Sequence, residues 1–131
     1  MTAPVHRARL ETSMVVVVFR ARLRKGVDMT RLESTGARMY ELASSMPGFV
    51  SYKDYAAPDG ESLTLIEFET EDAVLAWREH PEHRGVQEQG RQEFFSEYHI
   101  QVCAPLRDYR FSPSEGRREL PMGQRGGNAK L

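Results

Sequence analysis

The chain has one cysteine, Cys103, one tryptophan, Trp77, and one asparagine, Asn128, among its 131 residues. A lone cysteine makes no disulfide within the chain. Its place in an alternating apolar run predicts a buried, inert thiol rather than a nucleophile. An excess of one charge is also lacking: 18 Lys and Arg against 19 Asp and Glu leave a net −1. That balance excludes a broad electrostatic pull toward nucleic acid or an anionic membrane. No apolar run reaches the length of a bilayer span, and the first 13 residues hold no apolar core of a secretory leader, so a cytoplasmic protein is expected. Gly-rich phosphate loops, nucleophile elbows and C-x-x-C pairs are all missing.

With 40% hydrophobic and 28% charged residues, the chain has the composition of one soluble domain. Residues 1–13 show no period and read as a flexible lead-in. From Met14 to Arg24, four consecutive valines are followed by Phe19, Ala21 and Leu23 alternating with Arg20, Arg22 and Arg24, which predicts a strand. Gly26 and Asp28 mark a turn, and Thr30 with Glu33 fits a capping box for a helix. Leu32, Gly36, Met39, Leu42, Ala43 and Met46 form that helix's inward stripe, and Pro47-Gly48 ends it. Phe49–Ala56 and Ser62–Glu69 read as strands of a hairpin joined by A-P-D-G-E at 57–61.

Thr70 caps the next helix, with Ala73, Val74 and Trp77 on its buried side. The residue before a proline is pushed out of helical conformation, so this helix ends at His80. Pro81 suits the first position of a new one, predicted to run to about Glu97 with Val86, Gly90 and Phe94 on one face. Gly90 there would let a neighbouring backbone approach closely. A last strand follows, with Ile100, Val102, Ala104 and Leu106 alternating with His99, Gln101, Cys103 and Pro105. Residues 112–131 are rich in Pro, Gly and Arg without period and read as a disordered tail, leaving 14–111 as the folded domain.

The order βαββαβ predicts a ferredoxin-like α+β fold, a four-stranded antiparallel sheet with helices on one face. Two helices hide only one side of such a sheet. The other side keeps Val16 and Val18 with either Leu63 and Leu65 or Ile66 and Phe68, and exposing them is unfavourable by about 25 cal/mol per Å². A homodimer packed sheet to sheet is expected.

Several side chains carry both a structural and a chemical reading. Trp77 is core, or a cavity wall whose indole N–H meets a substrate oxygen. His80 terminates a helix, or acts as a base, for which an unperturbed pKa near 6.5 is well placed. His80 and His83 make an H-x-x-H pair, but Pro81 interrupts the helical face and no third ligand stands at matching spacing, so no metal is expected. Tyr40, Tyr52 and Tyr98 are hydroxyl donors to a cavity or self-satisfied core. Arg84, Glu88 and Arg91 read as a solvated, salt-bridged helix face. Arg20, Arg22 and Arg24 would hold an anion or pair across a dimer seam.

S-M-P-G-F-V-S-Y at 45–52, I-E-F-E-T-E-D-A at 66–73, W-R-E-H-P-E-H at 77–83 and Y-H-I-Q-V-C at 98–103 together resemble the antibiotic biosynthesis monooxygenase family of dimeric α/β barrels. The resemblance implies a cavity between sheet and helices in each subunit, and a monooxygenase acting on an electron-rich aromatic, anthrone or quinol with O2 and no cofactor. It implies as alternatives a haem-binding or haem-degrading member, or a non-catalytic dimeric ligand-binding module. Trp77 falls where members of both oxygenase groups carry a tryptophan, and the axial histidine of the haem degraders would fall near Gln87. The catalytic residues expected are Trp77 and His80, with Tyr40, Tyr52, Tyr98 and His83 binding the substrate. The partners expected are a small aromatic substrate, O2 and a second copy, with neither nucleic acid nor membrane.

Overall fold

The valine run and the alternation after it form β1, Val15–Leu23. In the computed structural model, which describes residues 14–121, it is flanked on both sides by other strands. β2 (Phe49–Ala56), β3 (Ser62–Phe68) and β4 (Phe95–Cys103) complete an antiparallel sheet of order β2–β3–β1–β4. Helices α1 (Met29–Ser45), α2 (Glu71–Arg78) and α3 (Pro81–Gln89) supply the cover. Met39, Leu42 and Ala43 of α1 and Val74 and Trp77 of α2 pack with Val15, Val17, Ile66 and Phe68 of the sheet into one core. The fold is ferredoxin-like α+β, as the element order predicts.

The register settles which apolar residues the helices hide. Residues paired across an antiparallel ladder share a face. Val17 pairs with Ile66 and Val102 on the helix side, whereas Val18 pairs with Leu65. The open face therefore carries Val16, Val18, Leu63 and Leu65, while Ile66 and Phe68 are buried. Cys103 pairs with Val16 on that same open face and is exposed, not buried, because β4 is an edge strand with no helix over that side. Arg20 and Arg22 spend their charge within the chain, on Glu61 and Asp59 of the β2–β3 turn at 3.0 Å each.

Besides the last strand, which ends at Cys103 rather than running on through Leu106, three boundaries differ from the sequence reading. Asp28, not Thr30, caps α1: its carboxylate accepts the Arg31 N–H at 3.1 Å, so the helix starts two residues sooner. Both residue types cap well, and the acidic one also favours the positive helix end. The helix expected to reach Glu97 stops at Gln89 and passes through a π-helical turn, Gly90–Phe94. Pairing with β1 claims residues 95–98 as strand, and the Arg24 N–H closes the join on the Phe94 carbonyl at 2.8 Å.

The third difference lies in the expected tail. β5 (Tyr109–Ser112) and β6 (Gly116–Glu119) form a hairpin, so a boundary at 111 cuts through a paired unit. The Ser112 hydroxyl accepts the Glu115 N–H, and Gly116 takes the positive φ of +70 that the turn needs. The flexible lead-in read at 1–13 and the tail from 122 onward lie outside the described residues. Among the described residues, no helix is long and apolar enough to cross a membrane.

Candidate functional site

The helical break at His80-Pro81 builds the site. Thr70 caps α2 by accepting the Ala73 N–H at 3.0 Å, and Trp77 closes the buried stripe of that helix. His80 leaves helical conformation at ψ 132 and Pro81 opens α3. The new helix turns back over the old, so that the His83 imidazole stacks on the Trp77 indole with centroids 4.1 Å apart and planes at 21°.

His83 Nδ1 lies 3.0 Å from the Trp77 carbonyl oxygen. A carbonyl only accepts, so Nδ1 carries the proton and donates it. Burial, the larger influence, holds the imidazole below its ordinary 6.5; the bond to the Trp77 carbonyl opposes that shift and nearby His80 adds to it. A neutral ring protonated on Nδ1 presents Nε2 as a bare lone pair. Beside it, the Trp77 indole N–H is buried and meets no acceptor among the described residues. The ring that bears the unpaired donor is thus stacked on the ring that bears the acceptor.

Both line a cavity of about 1200 Å³ between the sheet and the helices. Of the residues proposed from sequence, Trp77, His83, Tyr40, Tyr52 and Tyr98 line it together. His80 is not among the lining residues. Its Nδ1 accepts the Glu82 N–H at 3.1 Å as the cap of α3, so its lone pair is committed to the backbone. Of the two histidines, His83 is the one that lines the cavity. The H-x-x-H pair separates into a cap and a cavity wall.

The tyrosines differ. Burial, reinforced by the negative charge of Asp54, pushes the Tyr52 phenol up to about 12, so it stays a hydrogen-bond donor throughout the neutral range. Asp54 is itself held by the Thr64 hydroxyl at 2.6 Å. Tyr40 is exposed at the rim, edge-on to Tyr52 with ring centroids 5.6 Å apart. At the other end, the Tyr98 hydroxyl accepts from Arg91 at 3.1 Å, and Arg91 also reaches Glu88 at 2.7 Å. Arg91 is thus a cavity residue rather than part of a purely solvated face.

Sequence reasoning missed that arginine, and it missed the ring cluster of Phe19, Phe95 and Tyr98. Phe19 meets Phe95 edge-on at 5.4 Å and Tyr98 at 5.6 Å. The strand period could have found Phe19, two residues along the buried face from Val17. Phe95 was hidden by the helical reading of its segment.

The sequence profile described as antibiotic biosynthesis monooxygenase matches residues 14–89. The chain belongs to the antibiotic biosynthesis monooxygenase family. It is 32% identical over 79 residues to the uncharacterized protein YqjZ of Bacillus subtilis, covering 60% of this chain and 69% of that one. Rv0793 from Mycobacterium tuberculosis superposes with a TM-score of 0.63 at 22% identity, over 71% of this chain and 95% of that one. SnoaB, a cofactor-independent oxygenase from Streptomyces nogalater, superposes at 0.62 with 17% identity, over 71% and 93%. These two likenesses speak to the fold. The family's haem-degrading branch would require an axial histidine near Gln87. Gln87 lines this cavity, and its neutral amide does not supply the imidazole ligand that iron takes there. The residues present do not fit a haem held in that way.

Proposed function

We propose that this protein is a cofactor-independent monooxygenase that oxidises an electron-rich aromatic, an anthrone or a quinol with O2. One observation carries the reading: in an apolar cavity, the ring of a neutral His83 is stacked on the Trp77 indole, whose N–H is unpaired. His83 Nε2 takes the acidic proton of the bound substrate, and the Trp77 N–H and Tyr52 hydroxyl donate to the oxygen on which negative charge gathers. The anion passes one electron to O2. The resulting radical and superoxide join as a peroxide anion, which takes the proton back from His83 to become a hydroperoxide and then loses water to leave a carbonyl. For an anthrone, the ring CH2 becomes C=O, one oxygen atom enters the product and the other leaves as water. The protein's share is position, exclusion of water and stabilisation of charge.

Family membership supports an oxygenase of this general kind. The open sheet face with Val16, Val18, Leu63 and Leu65 supports closure of a dimeric barrel by a second copy. Oxygen uptake with anthrone tests the reaction. The wild type should exceed the uncatalysed autoxidation, and His83→Gln should lower kcat by about 10²–10⁴-fold, the usual span for a general base. Uptake no faster than without protein would leave a ligand-binding module instead. Uptake unchanged in His83→Gln would remove the base assignment.

A further inference from the structure

The inward stripe of α1 contains a gap. Leu32, Gly36, Met39 and Ala43 follow one another at helical spacing, with Met39 and Ala43 buried in the core. Gly36 lies in the middle of that stripe and lines the cavity, yet a Cβ built on it would meet nothing within 4 Å among the described residues. Glycine inside a helix is a poor choice for stability and needs a reason. At two other glycines the reason is visible. Gly48 has φ +85, and its Cβ would fall 2.9 Å from that of Ala73; a Cβ on Gly90 would fall 2.9 Å from the Phe95 ring. Gly36 has neither a positive φ nor a close neighbour.

What Gly36 borders is the cavity that holds Trp77 and His83. A bare turn of helix lets a flat ring lie against the backbone at van der Waals distance, where any longer side chain would occupy the same space. We propose that Gly36 is a specificity-determining residue: the space left by its missing side chain receives one ring of the aromatic ligand. This rests on the aromatic-substrate reading above and adds to it where that ring lies.

Gly85 provides a matched control. Like Gly36 it is helical and exposed with nothing within 4 Å of a Cβ, but it is not among the cavity-lining residues. Because Trp77 is the sole tryptophan, its indole N–H gives a single resonance that reports on the cavity. Uniformly 15N-labelled full-length protein is titrated with 1-naphthol, in the wild type, Gly36→Phe and Gly85→Phe. The wild type and Gly85→Phe should shift that resonance with the same apparent Kd, and Gly36→Phe should need at least tenfold more 1-naphthol. Both variants should unfold at or above the wild-type midpoint, since phenylalanine tolerates a helix better than glycine does. If Gly36→Phe does not fold, Gly36→Leu takes its place in the same comparison. A wild-type shift that Gly36→Phe follows, or that Gly85→Phe loses equally, overturns the assignment of Gly36 alone. A wild-type resonance that does not move overturns the aromatic cavity and this inference with it.

Discussion

His83 and His80 stand three positions apart with different neighbours, and their environments give them different tasks. His83→Gln removes the free Nε2. His80→Ala removes a helix cap and should cost stability by about 0.5–2 kcal/mol, the usual range for lost caps, with kcat near the wild-type value. Thermal unfolding and oxygen uptake on both variants separate the two roles; a His80→Ala enzyme as inactive as His83→Gln would count against the division. The pH dependence follows from the direction of the His83 shift. Its folded value lies below the ordinary 6.5, so above that pH neither folded nor unfolded chain holds the proton and stability is complete. As pH falls below 6.5 the unfolded chain protonates first, and stability declines until the folded ring titrates too. The rising limb of kcat/KM should accordingly have its midpoint below 6.5, and Tyr52, a phenol held near 12, should add no inflection in the neutral range. The sequence marked both histidines and the tryptophan as a group. It could not say which ring would cap, since that depends on the ψ of His80 and on how far α3 folds back.

Strands and helices were legible wherever a period ran unbroken between turn residues. Phe49–Ala56 and Ser62–Phe68, with the turn between them, emerge as their alternation and the D-G pair suggest. Legibility failed at Gly90–Phe94, where Val86, Gly90 and Phe94 satisfy a helical period that the chain abandons for pairing with β1. Local periodicity cannot register a partner strand seventy residues away in sequence. It failed again at 109–119, where Tyr109–Ser112 pairs across a Ser-Pro turn with Gly116–Glu119, a strand inside the stretch from 112 whose composition resembles a tail. The junction of α1 and β2 offers a test at this scale. Gly48 combines φ +85 with a 2.9 Å approach to the Ala73 Cβ, so it joins the strand to α2 as well as turning the chain. Gly48→Ala should destabilise by more than about 1 kcal/mol in chemical denaturation, whereas relief of chain entropy alone would make it slightly stabilising.

For the molecule as a whole, the side of the sheet away from the helices offers a test of the proposed dimer. Cys103 lies there beside Val16, in the same layer as Leu65. A second copy seated on that layer would cover the thiol. Its reaction with an aromatic disulfide reagent should then slow as protein concentration rises through the dimer's dissociation constant, while Leu65→Asp stays monomeric in sedimentation and reacts at one rate throughout. A wild-type rate indifferent to concentration would argue for a single-chain protein. Whatever the assembly, the carbonyl that orients His83 belongs to Trp77, itself a residue of the cavity lining. The two rings proposed to accept and to donate the proton are therefore tethered within the stretch 77–83, and breathing of the sheet or sliding of one subunit on another would carry the pair along as a cassette with its internal spacing kept.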